Sequence, residues 1–123
     1  VVLVLQGEPR LFFDRAHFYQ VVVNLLTNAL RYSQRGAGSV QVEVRNSVTE
    51  GQVEIHVTDD GPGVDAVSKE HIFEPFFFSH SRGTGLGLYI ARELCDANSA
   101  SLELIDCTSG AHFRILGRSE ACQ

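Results

Sequence analysis

Val40-Gln41-Val42-Glu43-Val44-Arg45-Asn46 and, beyond Thr49-Glu50-Gly51, Gln52-Val53-Glu54-Ile55-His56-Val57-Thr58-Asp59 alternate apolar with polar residues. Successive side chains of a strand point to opposite faces, so this pattern predicts two antiparallel strands with one buried and one wet side. Upstream, Asp14 can cap a helix whose apolar residues Phe18, Val21, Val22, Leu25, Leu26 and Ala29 recur at three- and four-residue steps to about Ser33, before the Gly36-Ala37-Gly38 break. The opening Val1 to Leu5 reads as a further strand, ended by Gln6 and Gly7. Downstream, Asp59-Asp60-Gly61-Pro62-Gly63 breaks the sheet. A short helix is expected near Ser68 to Ile72, then a loop from Phe73 to Arg82, then a helix from about Thr84 to just before Asn98. A hairpin of Leu102–Ile105 with His112–Leu116 completes the chain. This order predicts a single α+β domain over residues 1–123, a two-layer sandwich whose mixed, mainly antiparallel sheet is covered by helices on one face.

The 123 residues are enough for a real core, and 44% hydrophobic with 20% charged residues is an ordinary globular composition. A formal charge of -5 removes the main driving term for binding nucleic acid through its phosphates, so no nucleic-acid partner is expected. The apolar runs are too short for a membrane-spanning helix. Cys95, Cys107 and Cys122 are odd in number and lack CxxC spacing, which argues for reduced thiols rather than a disulfide frame or a zinc site.

Four constellations carry chemistry. At about 100° per residue, Gln20, Asn24, Asn28 and Arg31 share one side of the first helix, with Tyr32 at its edge. Two asparagines four apart offer neutral carbonyl oxygens to a hard cation, and magnesium is the natural candidate. Asp59 at a strand end can accept hydrogen bonds from an exocyclic amine, and Gly61 and Gly63 allow close backbone approach to a flat ligand. Gly83-Thr84-Gly85-Leu86-Gly87-Leu88 runs into a helix whose free N-terminal amides can receive phosphate, although it has neither P-loop nor GxGxxG spacing. Phe73-Glu74-Pro75-Phe76-Phe77 brackets Phe78-Ser79-His80-Ser81-Arg82, a segment suited to close as a lid. Taken singly, each has a plainer reading: a solvated helix face, a turn, a glycine-rich bend, a piece of core.

In this order, Asn24-Leu25-Leu26-Thr27-Asn28-Ala29, Asp59-Asp60-Gly61-Pro62-Gly63, Phe73-Glu74-Pro75-Phe76-Phe77 and Gly83-Thr84-Gly85-Leu86-Gly87-Leu88 resemble the N, G1, F and G2 boxes of sensor histidine kinases. The resemblance runs from about Asp14 to Leu116 and is greatest to the nitrogen- and pilus-regulating sensor kinases. It implies the Bergerat ATP-binding fold of the GHKL superfamily, with ATP and Mg2+ as cofactors. It further implies that Asn28, helped by Asn24, holds magnesium, that Arg31 meets the phosphates and that Tyr32 packs near the adenine. Asp59 would read the adenine amine, with Gly61 and Gly63 shaping the pocket floor and Phe76 among the nucleotide-binding residues. Thr84, Gly85, Leu86, Gly87 and Leu88 would cradle the phosphates.

Two departures stand out. His80, preceded by Phe78 and Ser79, occupies a place where short-lid relatives usually show Lys after two threonines, which leaves Arg82 to meet the γ-phosphate. Asn98-Ser99-Ala100 replaces a usual His-Gly-Gly turn, with only a local change expected. ATPases of this fold carry a glutamate one turn before the magnesium asparagine, where this chain has Asn24. An amide is a poor general base, so the site is suited to hold ATP for an outside nucleophile. His17, His56, His71, His80 and His112 all lie within the ATP-binding region. None stands in a His-Glu pattern followed by Asn-Pro, so the chain reads as an excised catalytic domain.

The implied partners are the protein's own dimerisation and phosphoacceptor domain and the receiver domain of a response regulator. The implied parent is dimeric, with this domain cytoplasmic and attachment to the bacterial inner membrane one arrangement for the whole. Two other readings share the nucleotide site: an anti-sigma-factor-type serine kinase, and a non-catalytic ATP-binding regulatory module.

Overall fold

The computed structural model describes residues 2–32, 38–77, 86–105 and 110–119, with the side chain of Tyr32 left out. Strands β1 (Val2–Gln6) and β2 (Leu11–Phe12) precede helix α1 (Arg15–Tyr32); β3 (Val40–Asn46) and β4 (Gln52–Asp59) follow, then a 3-10 turn at Ser68–Glu70, helix α2 (Gly87–Ala97), β5 (Ser101–Ile105) and β6 (His112–Ser119). The sheet order is β1-β3-β4-β6-β2, with β5 also on β6. β5 lines residues 112–116 of β6, and β2 lines Arg118 and Ser119 on from there. Among the described residues only β1 with β3 is parallel, in the register Val2 to Gln41 through Gln6 to Arg45. The expected mixed, mainly antiparallel sheet is therefore present, with the extra two-residue β2.

Strand alternation sorts the two faces. Val40 and Val42 of β3, Val53, Ile55 and Val57 of β4, Leu102 of β5 and Phe113 and Ile115 of β6 are buried. They meet Val21, Leu25 and Ala29 of α1 and Ala91 and Cys95 of α2, with Phe18, Leu26, Leu88 and Leu94 packed at the margins. Cys95 has no exposure, and burial pushes its thiol up to about 12, so it packs as a small apolar group. Cys107 and Cys122 lie outside the described residues. No helix among the described residues is long and apolar enough to cross a membrane.

The opposite face of the sheet is charged. Glu54 Oε1 receives Nη2 of Arg45 at 3.1 Å and the Nε2 of His56 at 2.7 Å, while Arg45 Nη1 donates to Glu43 at 2.8 Å. His56 Nδ1 and His112 Nε2 lie 2.7 Å apart, one donating and the other accepting. The hydrogen bond from His56, with others from Ser47 and Arg45, holds the Glu54 carboxyl down from 4.5 to about 2. A depressed carboxylate adds stability above its unfolded value and loses it as pH falls through the folded one. Glu54→Gln should therefore lower stability at pH 7 by roughly 1.5–3 kcal/mol, the scale of a hydrogen bond to a charged group. That deficit should shrink between about pH 4.5 and 2. Thermal melts across that range check it, and a pH-independent deficit would show that the carboxylate charge contributes nothing.

Candidate functional site

α1 begins on Asp14, whose Oδ1 accepts from His17 N–H at 2.9 Å and whose backbone carbonyl accepts from Phe18 N–H. The His17 N–H holds the Asp14 carboxyl below its ordinary value. At the same end, Asn98, which caps α2, accepts from Asp14 N–H at 2.9 Å and donates to the Leu94 carbonyl at 2.7 Å. Its Nδ2 also lies 3.0 Å from His17 Nδ1. Further along α1, Gln20 Nε2 donates to Asn24 Oδ1 at 2.7 Å, and Asn24 Nδ2 donates to the Gly87 carbonyl at 3.0 Å. These two amide clasps tie the start of α1 to the end of α2 and the middle of α1 to the start of α2. The helices thus run antiparallel, and the C-terminal half of α1 lies toward the N-terminus of α2.

The polar side predicted for α1 is real, but its members differ in duty. Asn24 is committed to its neighbours. The Asn28 side chain has no hydrogen bond to another described residue. Arg31 is exposed one turn beyond it. α2 opens at Gly87 with Leu86 as its cap residue, no side chain capping it and no acidic residue in its first turn. The N–H groups of that turn lack helical acceptors and stand at the positive end of the dipole. Leu88 also packs on the core. Thr84 and Gly85, expected to start this helix, lie outside the described residues, as do His80 and Arg82 of the expected lid.

Asp59 is the last residue of β4 and continues the inward row of Val53, Ile55 and Val57, so its carboxylate turns to the helix side with only 8% exposure. Its Oδ1 accepts from Gly61 N–H at 2.8 Å and from Ala111 N–H at 3.4 Å. Oδ2 has no hydrogen bond among the described residues. Burial raises the Asp59 carboxyl above its ordinary value, and the two N–H groups oppose that rise. The result is a buried carboxylate with one oxygen anchored and one unengaged.

The aromatic cluster divides. Phe73 packs edge-on against Phe113 at 6.1 Å, with the Arg92 guanidinium 4.7 Å from its ring centre, and Phe77 lies 5.8 Å from the His71 ring. Phe76 is 67% exposed and takes φ 62, a left-handed backbone unusual for an aromatic residue. Sequence reasoning missed Ala111, whose N–H reaches Asp59, and the clasping duties of Asn24 and Asn98. The glycine before β6 was the one available sign of the first.

The family described as histidine kinase-, DNA gyrase B-, and HSP90-like ATPase matches residues 13–118. The chain belongs to this family. Sensor protein kinase PilS of Pseudomonas aeruginosa is 41% identical over 112 residues, which cover 89% of this chain and 21% of PilS. Signal transduction histidine-protein kinase AtoS of Escherichia coli is 31% identical over 105 residues, 84% of this chain and 17% of AtoS. The chain thus spans about a fifth of the length of these relatives. Among solved structures, the mycobacterial sensor histidine kinase MprB superposes with a TM-score of 0.82 at 26% identity, over 96% of this chain and 82% of that one. Full-length ShkA in complex with AMPPNP superposes with a TM-score of 0.80 at 26% identity, over 96% of this chain and 25% of that one. The fold is that of histidine-kinase catalytic domains, as the resemblance implied.

The clasp at Asn24 gives a direct test, since a carboxylate of the same shape can accept from Gln20 but cannot donate to the Gly87 carbonyl. Asn24→Asp should destabilise the domain by roughly 0.5–1.5 kcal/mol, the net worth of one hydrogen bond, since the Gly87 carbonyl keeps its helical donor within α2. Chemical denaturation checks it, and an unchanged midpoint would mean that the clasp contributes nothing.

Proposed function

We propose that this domain binds Mg-ATP and offers its γ-phosphoryl group to a histidine on a separate dimerisation domain, for relay to a response-regulator receiver domain. The observation that carries the reading is Asp59, with Oδ1 anchored by two backbone N–H groups and Oδ2 left to accept from the adenine amine. Gly61 and Gly63 form the floor beside it, and Tyr32 and Phe76 border the base. The first-turn amides after Leu86, at Gly87 and Leu88, meet the phosphates together with Arg31, Thr84 and Gly85.

Asn28 fits a hard cation, because its neutral amide oxygen is unengaged among the described residues and cannot titrate. Asn24 stands one turn behind it, and its Oδ1, which already accepts from Gln20, keeps one lone pair for a secondary role as ligand. Magnesium held there would offset phosphate charge. The committed amide of Asn24 cannot take a proton from water, which supports transfer to an outside nucleophile over hydrolysis. The described histidines are otherwise employed: His17 beside Asn98, His56 with His112 and Glu54, and His71 on Glu74 at 2.6 Å. In the whole protein the domain would work on the cytoplasmic side, in a dimer attached to the bacterial inner membrane.

Asp59→Asn can keep its oxygen under the Gly61 and Ala111 N–H groups, which places an NH2 donor against the adenine amine. Adenine nucleotides should then weaken by roughly 1.5–3 kcal/mol, and guanine nucleotides much less. Because the raised Asp59 carboxyl detracts from stability at neutral pH, the variant should melt no lower than the parent. Calorimetric titration with both nucleotides decides it, and equal losses would remove Asp59 from base recognition.

Incubated with radiolabelled ATP, this chain should stay unlabelled while an added phosphoacceptor domain gains acid-labile label. Arg82→Ala should slow that transfer at least about tenfold, roughly 1.4 kcal/mol of barrier, and leave ADP affinity nearly unchanged. If His80 acts as an imidazolium, transfer should also quicken as pH falls toward about 6.5. Label on one of the chain's own histidines would overturn the reading.

A further inference from the structure

Two loops meet at the end of β4 with backbone close against backbone. Gly63, in the loop leaving β4, has φ 79, and Gly110, in the approach to β6, has φ 70. A Cβ built on Gly110 would overlap the Asp59 carbonyl oxygen outright and lie 3.2 Å from Asp60 Cα. One built on Gly63 would fall 2.8 Å from the Gly110 carbonyl oxygen. The chain next to Gly110 holds Asp59 in two ways. The Ala111 carbonyl accepts from Asp59 N–H at 3.0 Å, and Ala111 N–H reaches Asp59 Oδ1 at 3.4 Å. The second bond is already near the limit of useful length, so a displacement of a few tenths of an ångström would break it.

We infer that Gly110 is a positioning residue for purine recognition. By letting the approach to β6 lie against the Asp59 peptide, it keeps Oδ1 between the Gly61 and Ala111 N–H groups and so sets the direction of Oδ2. The inference rests on the reading of Asp59 as the acceptor for the adenine amine. A side chain at this position would push Ala111 away, leave Oδ1 with Gly61 alone and let the carboxylate turn. The loss falls on aim, since neither Gly110 nor Ala111 need touch the base.

The test titrates this chain and its Gly110→Ala and Asp59→Asn variants with ADP and GDP over a range of pH, with circular dichroism to confirm the fold. Gly110→Ala should bind ADP at least about tenfold more weakly, with GDP binding little changed. Its loss of ADP binding on acidification should begin at higher pH, because a carboxylate short of one N–H donor protonates more readily. Wild-type ADP affinity in folded Gly110→Ala, beside a clear loss in Asp59→Asn, would overturn the positioning role alone. An unchanged Asp59→Asn would instead sink the adenine reading. Should Gly110→Ala fail to fold, the parent chain supplies the answer by amide NMR. The Ala111 and Gly61 N–H shifts should both follow the Asp59 carboxyl titration, and an Ala111 signal indifferent to it would overturn the inference.

Discussion

A carboxylate buried at the end of an apolar row is the constraint around which this domain is arranged. Val53, Ile55 and Val57 fill the core from β4, and the same parity carries Asp59 inward behind them. Charge in that position is expensive unless hydrogen bonds replace the lost water. The replacement comes from the backbone, through Gly61 in the next loop and Ala111 in the approach to β6, fifty-two residues on. That explains why both loops are glycine-bearing where they meet. The replacement leaves Oδ2 without a hydrogen bond among the described residues, so that oxygen is open to a ligand. The raised carboxyl of Asp59 is the energetic trace of that incompleteness.

The second organising feature is the pair of amide clasps between the helices. A carboxamide donates and accepts at once, so Asn24 and Asn98 can each join two groups without bringing charge to a half-buried seam. Helix packing by apolar ridges leaves some freedom to slide, whereas polar contacts near both ends fix the register. With that register set, Asn28 and Arg31 come toward the uncapped first turn of α2. The turn after α2 shows how this chain tolerates its departures from the usual pattern. Ser99 takes φ 57 where glycine is common, a strain of roughly 1–2 kcal/mol, while Asn98 supplies the cap and the link to Asp14.

Much of the fold could be read in advance, because β3, β4 and α1 are long enough to display their periods. β2 could not, since two residues show no period at all and Leu11 and Phe12 find their partners on β6 more than a hundred residues later. The parallel pairing of β1 was equally hidden: Val2 to Leu5 are exposed apolar residues without alternation, and only the partner strand gives them direction. Within the candidate site, unusual residue chemistry was legible at Asp59 and Asn28. Duties set by a distant neighbour were not. Asn24 and Asn28 look alike on a helical projection, and the bonds of Asn24 to Gln20 and to Gly87 separate them. Gly110 matters through the space it leaves, which sequence expresses only as a glycine before a strand.

The charged outer face of the sheet completes the logic. Glu43, Arg45, Glu54, His56, His112 and Arg114 lie across β3, β4 and β6, and Glu103 of β5 reaches Arg114 at 3.3 Å. The more exposed of these pairs, such as Arg114 with Glu103, add little stability one by one. Their stronger effect is on register, because a one-residue slip of β4 would drive Glu54 and His56 into the core and turn Val53, Ile55 and Val57 out to water. The same slip would carry Asp59 to the open face, away from both helices and from Ala111. Alternation of charge and hydrocarbon along one strand thus does two things at once: it decides which face has a core, and it decides that the carboxylate of Asp59 stands buried on the helix side.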